Sequence, residues 1–390
     1  MKIAHLADIH IGVGYAGPTP LSRFQDIEKI LDWTADRIIA EKCDLCLIAG
    51  DCFKDAKVMI DRASQEIASI VRFLRTLSNA GIEVIVISGT PSHDSVSSYE
   101  LIKEMQIPRV FVYAKPDTCP VVKESILYIA CLPGLNRSML MTQDEYKGLP
   151  PEQVHRHMTD KISQICQGMS AQMPDNKPKI LMAHLTYQGS DTGFTDLLMQ
   201  QEPILTREAV AGFDLVALGH IHRPQMIDDK VFYSGPIERL SFNEEDIKPG
   251  FWIHEPGECS QFVETPARRF YTIDWDETAL IHFLNNGMNG FNTSFANDLK
   301  DSIIRLHYSC SEEVAKQLNR KQLEQSLYDA GCFYVSEIKA DIARVDRARD
   351  NTVNESIGPV DALAKWAGKQ GIDEAEIAEL QSMTEELLLC

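Results

Sequence analysis

Short apolar runs alternate with amphipathic stretches from the first residues onward, and that alternation restricts the fold more than any other feature of the chain. Residues 2–7 read as a strand. Residues 24–41 read as a helix with Ile27, Ile30, Leu31, Ala35, Ile38 and Ile39 on one face, and 44–49 as a second, buried strand. A helix over 59–79, carrying Ile67, Ile70, Val71, Leu74 and Leu77, precedes a β-branched strand over 82–88. Strand, helix, strand, helix, strand predicts parallel pairing with right-handed crossovers, so the fold class is α/β.

Later segments extend this plan. Residues 110–113, 125–130, 179–183 and 214–218 read as strands, and 151–168 as a helix. Over 230–265 the runs shorten between Gly235-Pro236, Pro249-Gly250 and Pro256-Gly257, a pattern that fits antiparallel pairing. A break near Thr265-Pro266 predicts a first domain over 1–265 and a small α+β domain over 266–340. The latter is read as strands at 270–274, 302–307 and 333–338 with one helix at 311–329. Residues 341–358 are polar, end in Gly358-Pro359 and read as a linker. Two helices, 359–369 and 373–389, form a tail over 359–390. Ile377, Leu380, Met383 and Leu387 make one apolar stripe on the second of them.

Open α/β sheets bind ligands beyond the carboxyl ends of their strands. Five predicted strands in this chain are followed there by Asp or His: Asp8 and His10; Asp51; Ser92, His93 and Asp94; His184; and His220 and His222. Each group alone is weak, because Asp-x-His and His-x-His arise often by chance. Their conjunction is informative, since a sheet collects such loops on one rim. Imidazoles and carboxylates converging there need cations to offset them, and mixed sets of this kind suit Mn, Fe or Zn. The donors outnumber what one tetrahedral ion takes, so two ions sharing a carboxylate fit better. Two ions about 4 Å apart activate water and clamp the oxygens of an in-line phosphoryl displacement. Phosphoester hydrolysis is the reaction class this favours.

Other classes are disfavoured. No G-x-x-x-x-G-K-[ST] marks a P-loop ATPase, and no G-x-S-x-G marks a serine hydrolase elbow. The ten cysteines are too sparse for a disulfide scaffold, and Cys43-x-x-Cys46 has no second pair. There is no apolar run of about 18 residues and no signal-peptide pattern at the start, so a cytoplasmic protein is expected. The net charge of −19 counts against a protein that coats DNA by bulk attraction. It is compatible with phosphate held by metal ions, or with basic surface supplied by a partner chain.

Asp8-Ile-His10, Gly50-Asp51, Ser92-His93-Asp94, His184 and Gly219-His-Ile-His222 together resemble the signature of the calcineurin-like metallophosphoesterases, in the family's order, over about residues 1–240. The runs Leu6-Ala-Asp-Ile-His-Ile-Gly12, Gly50-Asp-Cys-Phe53, Gly219-His-Ile-His-Arg-Pro224, Tyr233-Ser-Gly-Pro-Ile-Glu238 and Gly250-Phe-Trp-Ile253 look like the SbcD-like nucleases of that family. The resemblance implies a two-sheet sandwich flanked by helices, then a small α+β capping domain and a helical tail. It implies two divalent ions, usually Mn2+. Asp8, His10, Asp51 and His222 would hold one, and Asp51, His184 and His220 the other. His93 would orient the phosphate and protonate the leaving oxygen, with Asp94 tuning the His93 ring. It also implies a DNA substrate, a homodimer within a heterotetramer, and an SbcC-like SMC-type ATPase gripped by the tail.

The match departs at Lys54, where the family often has an acid after Phe53, without mechanistic weight, and in one loop that matters. Where the family has Gly-Asn-His-Asp, this chain has Gly89-Thr90-Pro91-Ser92-His93-Asp94. Aligning on His-Asp puts Ser92 where the Asn ligand belongs, which predicts a weaker second site. By position, Arg137 and Arg223 are candidates for phosphate or DNA contact. Two competing readings stay open. One is a weakly active scaffold or regulatory subunit of an ATPase complex; the other is a small-substrate phosphatase or phosphodiesterase of the same fold.

Overall fold

Because the first three strands of the chain are covered on both sides, their sequences show no regular polar alternation. In the computed structural model, β1 (Ile3–Leu6), β2 (Leu45–Ala49), β3 (Glu83–Ile87) and β4 (Val110–Tyr113) pair in parallel in that order. Side chains along β2 still take turns between faces, as a strand requires. Cys46 and Ile48 share a core with Ile27 and Leu31 of the helix Ser22–Ala40, and with Ile70 and Leu74 of the helix Ser64–Asn79; Leu45, Leu47 and Ala49 face a second core. The structure describes residues 1–19, 21–56, 64–92, 94–122, 126–193, 202–255, 258–290, 295, 298–343 and 357–388.

A second sheet supplies the other wall of that inner core. Its strands are β5 (Asp117–Val122), β6 (Ile126–Leu132) and β7 (Lys179–His184). After the small parallel pair β8 (Thr186–Tyr187) and β9 (Ile204–Leu205), the chain returns to it as β10 (Leu215–Gly219), β11 (Gln225–Ile227) and β12 (Val231–Tyr233). The sheet order is β11-β12-β10-β7-β6-β5, with β6, β7, β10 and β12 parallel. Ile129, Cys131, Ile180, Met182 and Ala217 meet Ile3, Leu45, Leu47, Ile85 and Ile87 between the sheets. The helix Pro151–Ala171 covers the outer face through Val154, Met158, Ile162 and Cys166. β13 (Gly250–His254) and β14 (Gln261–Glu264) then close the first sheet as an antiparallel edge, in the order β14-β13-β1-β2-β3-β4. The result is the expected two-sheet sandwich flanked by helices.

β15 (Phe270–Trp275), β16 (Ile303–Ser311) and β17 (Tyr334–Ala343) form a separate three-stranded sheet in the order β15-β16-β17. The single helix expected over 311–329 is two: Glu312–Ala315 and Arg320–Asp329. Asn319 explains the break. Its side chain accepts from the backbone N–H groups of Lys321 and Gln322 at 3.1 and 3.2 Å, which starts a new helix.

By compactness the chain divides into two units: 1–274 with 285–307 and 319–339, and 275–284 with 308–318 and 340–390. Within the first, Arg23 is fully buried and pairs with Asp26 at 2.6 Å and Glu238 at 3.4 Å. Arg268 grips the same Asp26 carboxylate through Nε and Nη2 at 2.9 and 2.8 Å and stacks 3.6 Å from the Phe333 ring. In the second, the helices Pro359–Lys369 and Glu374–Leu388 bury Ala367 but leave Trp366, Met383, Leu387 and Leu388 exposed. Asp373 caps the second helix by accepting from the N–H groups of Ala375 and Glu376. The linker expected at 341–358 falls largely outside the described residues. Among those described, no helix is long and apolar enough to cross a membrane.

Candidate metal centre

The loops that leave β1 and β2 run side by side past the ends of their strands. The N–H of Asp8 donates to the Gly50 carbonyl at 3.1 Å, His10 to Asp51 at 2.9 Å and Ile11 to Cys52 at 2.9 Å. Parallel pairing thus continues for several residues beyond the sheet, which brings Asp8, His10 and Asp51 to one edge. Asp8, His10, Asp51 and His220 all hold left-handed backbone, with φ of 53°, 46°, 49° and 95°. Such a conformation costs about 1–3 kcal/mol per residue and persists only where the surroundings enforce it.

His184 ends β7. Its Nδ1 lies 2.8 Å from the Ala49 carbonyl and donates to it, which turns Nε2 toward Asp51 Oδ2 at 3.3 Å. The ring can sit there because residue 50 is glycine, in left-handed backbone with φ of 92°; a Cβ at that position would strike the imidazole. A Cβ on Gly89 would likewise strike the Asp51 carboxylate. From the loop after β10, His222 Nε2 comes within 3.2 Å of His10 Nε2, and His10 Nε2 within 3.6 Å of Asp51 Oδ2. Two groups of possible ligand atoms result, each within 4.8 Å of one another: Asp8, His10 and His222, and Asp8, Asp51 and His184. Asp8 is common to both groups.

His220 stands in neither group. Its backbone N–H donates to both Asp8 oxygens at 3.0 and 3.2 Å, and its Nε2 lies 2.9 Å from Glu202 Oε2. Its ring centroid is 5.2 Å from that of His184. Ser92 is exposed. Thr90 is buried; its N–H donates to Asp51 Oδ1 at 2.9 Å, and its hydroxyl lies 3.5 Å from His220 Nδ1. The residue directly after Gly89 therefore sits beside the ligand candidates, because the two extra residues of the loop follow it. His93 lies outside the described residues. Asp94 accepts four hydrogen bonds: from the N–H of Gly89 at 2.7 Å and the hydroxyl of Tyr99 at 2.6 Å, and from the N–H groups of Phe53 at 3.2 Å and Ser95 at 3.0 Å. Tyr99 in turn accepts from the N–H of Cys52 at 2.9 Å. Asp94 and Tyr99 thus fasten the loop after β3 to the loop after β2. Arg137 is exposed at the start of the short helix Arg137–Leu140, and Arg223 Nε lies 3.3 Å from Asp191.

Three buried acids in one place demand positive charge. Burial raises the Asp8 carboxyl despite His184 and His222, and burial together with Asp51 raises Asp94 to about 7. Burial disfavours charge on His184, but Asp51 and Asp8 outweigh it and hold the imidazole up to about 10. His222 is likewise held up to about 9, against burial, by Glu244, Asp8 and Asp51. The carboxylates thus favour positively charged imidazoles beside them. Buried carboxylate and imidazole donors grouped within 4.8 Å suit a divalent ion in their place. Sequence reasoning missed Tyr99 and Glu244, which lie away from the predicted strand ends, and passed over Thr90 in favour of Ser92.

The family model for calcineurin-like phosphoesterases matches residues 1–224. The chain belongs to that family. Its chemistry is that of a metal-dependent phosphoesterase. This phosphoesterase is 26% identical to the SbcD subunit of the nuclease SbcCD from Staphylococcus epidermidis, over 72% of its own length and 74% of the relative's. Among solved structures it is similar to a dimetal phosphatase from Danio rerio, with a TM-score of 0.36 and 12% identity over 65% of this phosphoesterase and 91% of that chain.

Proposed function

We propose that this phosphoesterase hydrolyses DNA phosphodiesters with two Mn2+ ions, as the nuclease subunit beside an SbcC-like, SMC-type ATPase. The observation that carries the reading is the gathering of Asp8, His10, Asp51, His184 and His222 on one rim. Similarity to a nuclease subunit along three-quarters of that relative supports the substrate class. In this reading Asp8, His10, Asp51 and His222 hold one ion, and Asp51, His184 and His220 the other. Buried Thr90 suits the neutral oxygen of the second site better than exposed Ser92. Paired ions supply charge for the attacking and leaving oxygens and acidify water. His93 orients the phosphate and hands a proton to the leaving oxygen, Asp94 holds the loop that carries it, and Arg137 and Arg223 steady flanking phosphates.

The net charge of −19 assigns most of the grip on DNA to the ATPase partner. In the same reading residues 266–340 cap the nuclease domain, and 341–358 link it to a tail that docks on the ATPase. Exposed Trp366, Met383, Leu387 and Leu388 are the apolar anchors such a helix lays in a groove. The nuclease works as a homodimer within a heterotetramer.

Linear duplex and single-stranded DNA incubated with the protein, Mn2+ and the ATPase partner are expected to be degraded, and EDTA is expected to stop this. DNA left intact under every condition would refute the nuclease reading. A chain ended at Gly358 is expected to retain turnover of a nitrophenyl phosphodiester and to lose co-purification with the ATPase. Undiminished co-purification would reject the tail as the docking element.

A further inference from the structure

His222 does not stand alone on its rim. Glu244 Oε1 lies 2.7 Å from His222 Nδ1, while Glu244 Oε2 accepts from the N–H of Leu240 at 2.7 Å. The Glu244 side chain is buried, while the His222 ring stays partly open to solvent. Glu244 ends a one-turn 3-10 helix, Phe242–Glu244, that starts at Ser241. The other flank of the same turn is held by the three-stranded sheet. The Phe242 ring meets Phe270 of β15 edge-on, with centroids 4.9 Å apart, and the Arg305 guanidinium of β16 stacks 4.6 Å from it. Glu245 accepts from the Thr272 N–H at 2.6 Å and from the Thr272 hydroxyl, and Arg305 Nε donates to that hydroxyl at 2.7 Å.

We infer that Glu244 is a positioning residue for the ion held by His222, and that the strap 241–245 couples the affinity for that ion to the placement of β15 and β16. The inference rests on His222 being a metal ligand. An Nδ1–H donated to a carboxylate fixes the tautomer that leaves Nε2 free to ligate, and it makes that nitrogen more basic. Three near-consecutive residues serve both ends of the link: Glu244 reaches the imidazole, while Phe242 and Glu245 reach the sheet. A strap this short transmits displacement of the sheet to the imidazole, and linkage makes the effect reciprocal.

The test is Mn2+ binding to the full chain, measured by calorimetry and by Mn2+ electron paramagnetic resonance. Glu244→Ala is expected to weaken one of two sites by about 10- to 100-fold and to leave the other unchanged. Glu244→Gln keeps an acceptor without the charge and is expected to restore part of the loss. Arg305→Ala, which removes only contacts on the sheet side, is expected to weaken the same site by about 2- to 30-fold. His222→Ala serves as the reference. If His222→Ala loses a site and Glu244→Ala binds as the parent does, the positioning role is wrong and the ligand assignment stands. If Arg305→Ala binds as the parent does, the coupling to the sheet is wrong. If His222→Ala itself changes nothing, the ligand assignment fails. Unfolding of each variant in EDTA, at a midpoint close to the parent's, shows that a loss of binding is not a loss of fold.

Discussion

Asp51→Asn is expected to lower phosphodiester turnover by on the order of a thousandfold and to leave fewer than two ions bound. Asp51 sits between the imidazoles: Oδ2 is 3.3 Å from His184 Nε2 and 3.6 Å from His10 Nε2. Its Oδ1 accepts from the Thr90 N–H at 2.9 Å. Asparagine preserves the shape and retains an acceptor for Thr90, so the loop after β3 keeps its anchor. It removes the negative charge that faces both imidazoles. Metal-based charge stabilisation is worth several kcal/mol, and each 1.36 kcal/mol is about tenfold in rate, which sets the expected scale. Elemental analysis for metal content and turnover of a nitrophenyl phosphodiester check it together. A variant that carries two ions and keeps a tenth of the parent's rate would remove Asp51 from the shared position.

What could be read in the sequence was whatever depends on near neighbours. Asp8, His10, Asp51, His184 and His222 are visible because each follows an apolar run by a few residues at most, and the parallel strands of the two packed sheets deliver these positions to one rim. Faces buried on both sides gave β2 and residues 180–183 of β7 their apolar sequence, so the parallel α/β plan was visible too. Long-range relations were not. Glu244 lies 22 residues from His222 along the chain and meets it only because β12 and β13 bracket the strap. Tyr99 sits mid-helix in Val96–Glu104, where an aromatic reads as core; its hydroxyl acquires meaning only from Asp94 and Cys52 across the loop. Thr90 was passed over because matching on His93-Asp94 shifts attention to Ser92. The backbone resolves it by keeping the residue after Gly89 against Asp51 and letting the insertion bulge beyond it. The break at Asn319 was a capping signal hidden inside a helical periodicity.

In EDTA the protein is expected to lose about 3 kcal/mol of stability between pH 7 and pH 4 through His254 alone, with His5 adding to the loss. The two imidazoles are buried and stacked, with centroids 5.7 Å apart. His5 Nε2 lies 3.1 Å from the Leu218 carbonyl of β10, and His254 Nδ1 lies 2.8 Å from the Ser260 hydroxyl. Their other nitrogens, His5 Nδ1 and His254 Nε2, are buried without a hydrogen-bond partner, so a proton placed there gains nothing to offset its desolvation. Burial pushes His254 down to about 4; burial and the neighbouring His254 push His5 well below its ordinary 6.5. The unfolded chain takes up these protons near pH 6.5 and the folded chain resists until much lower. Between those values the unfolded state binds more protons, so the stabilisation is present above pH 6.5 and lost as pH falls through that window. Carboxylates titrate in the same range, which makes the difference between parent and His254→Phe the informative quantity. Urea midpoints at pH 7 and pH 4 are expected to fall less in the variant, by the equivalent of about 3 kcal/mol at 1.36 kcal/mol per pKa unit. Equal falls in both proteins would show that His254 is not the acid-sensitive group. Because His5 bridges β1 to the Leu218 carbonyl of β10, acid loosens the two strands that deliver Asp8 and His220, and the fold and the candidate site are expected to fail over the same pH range.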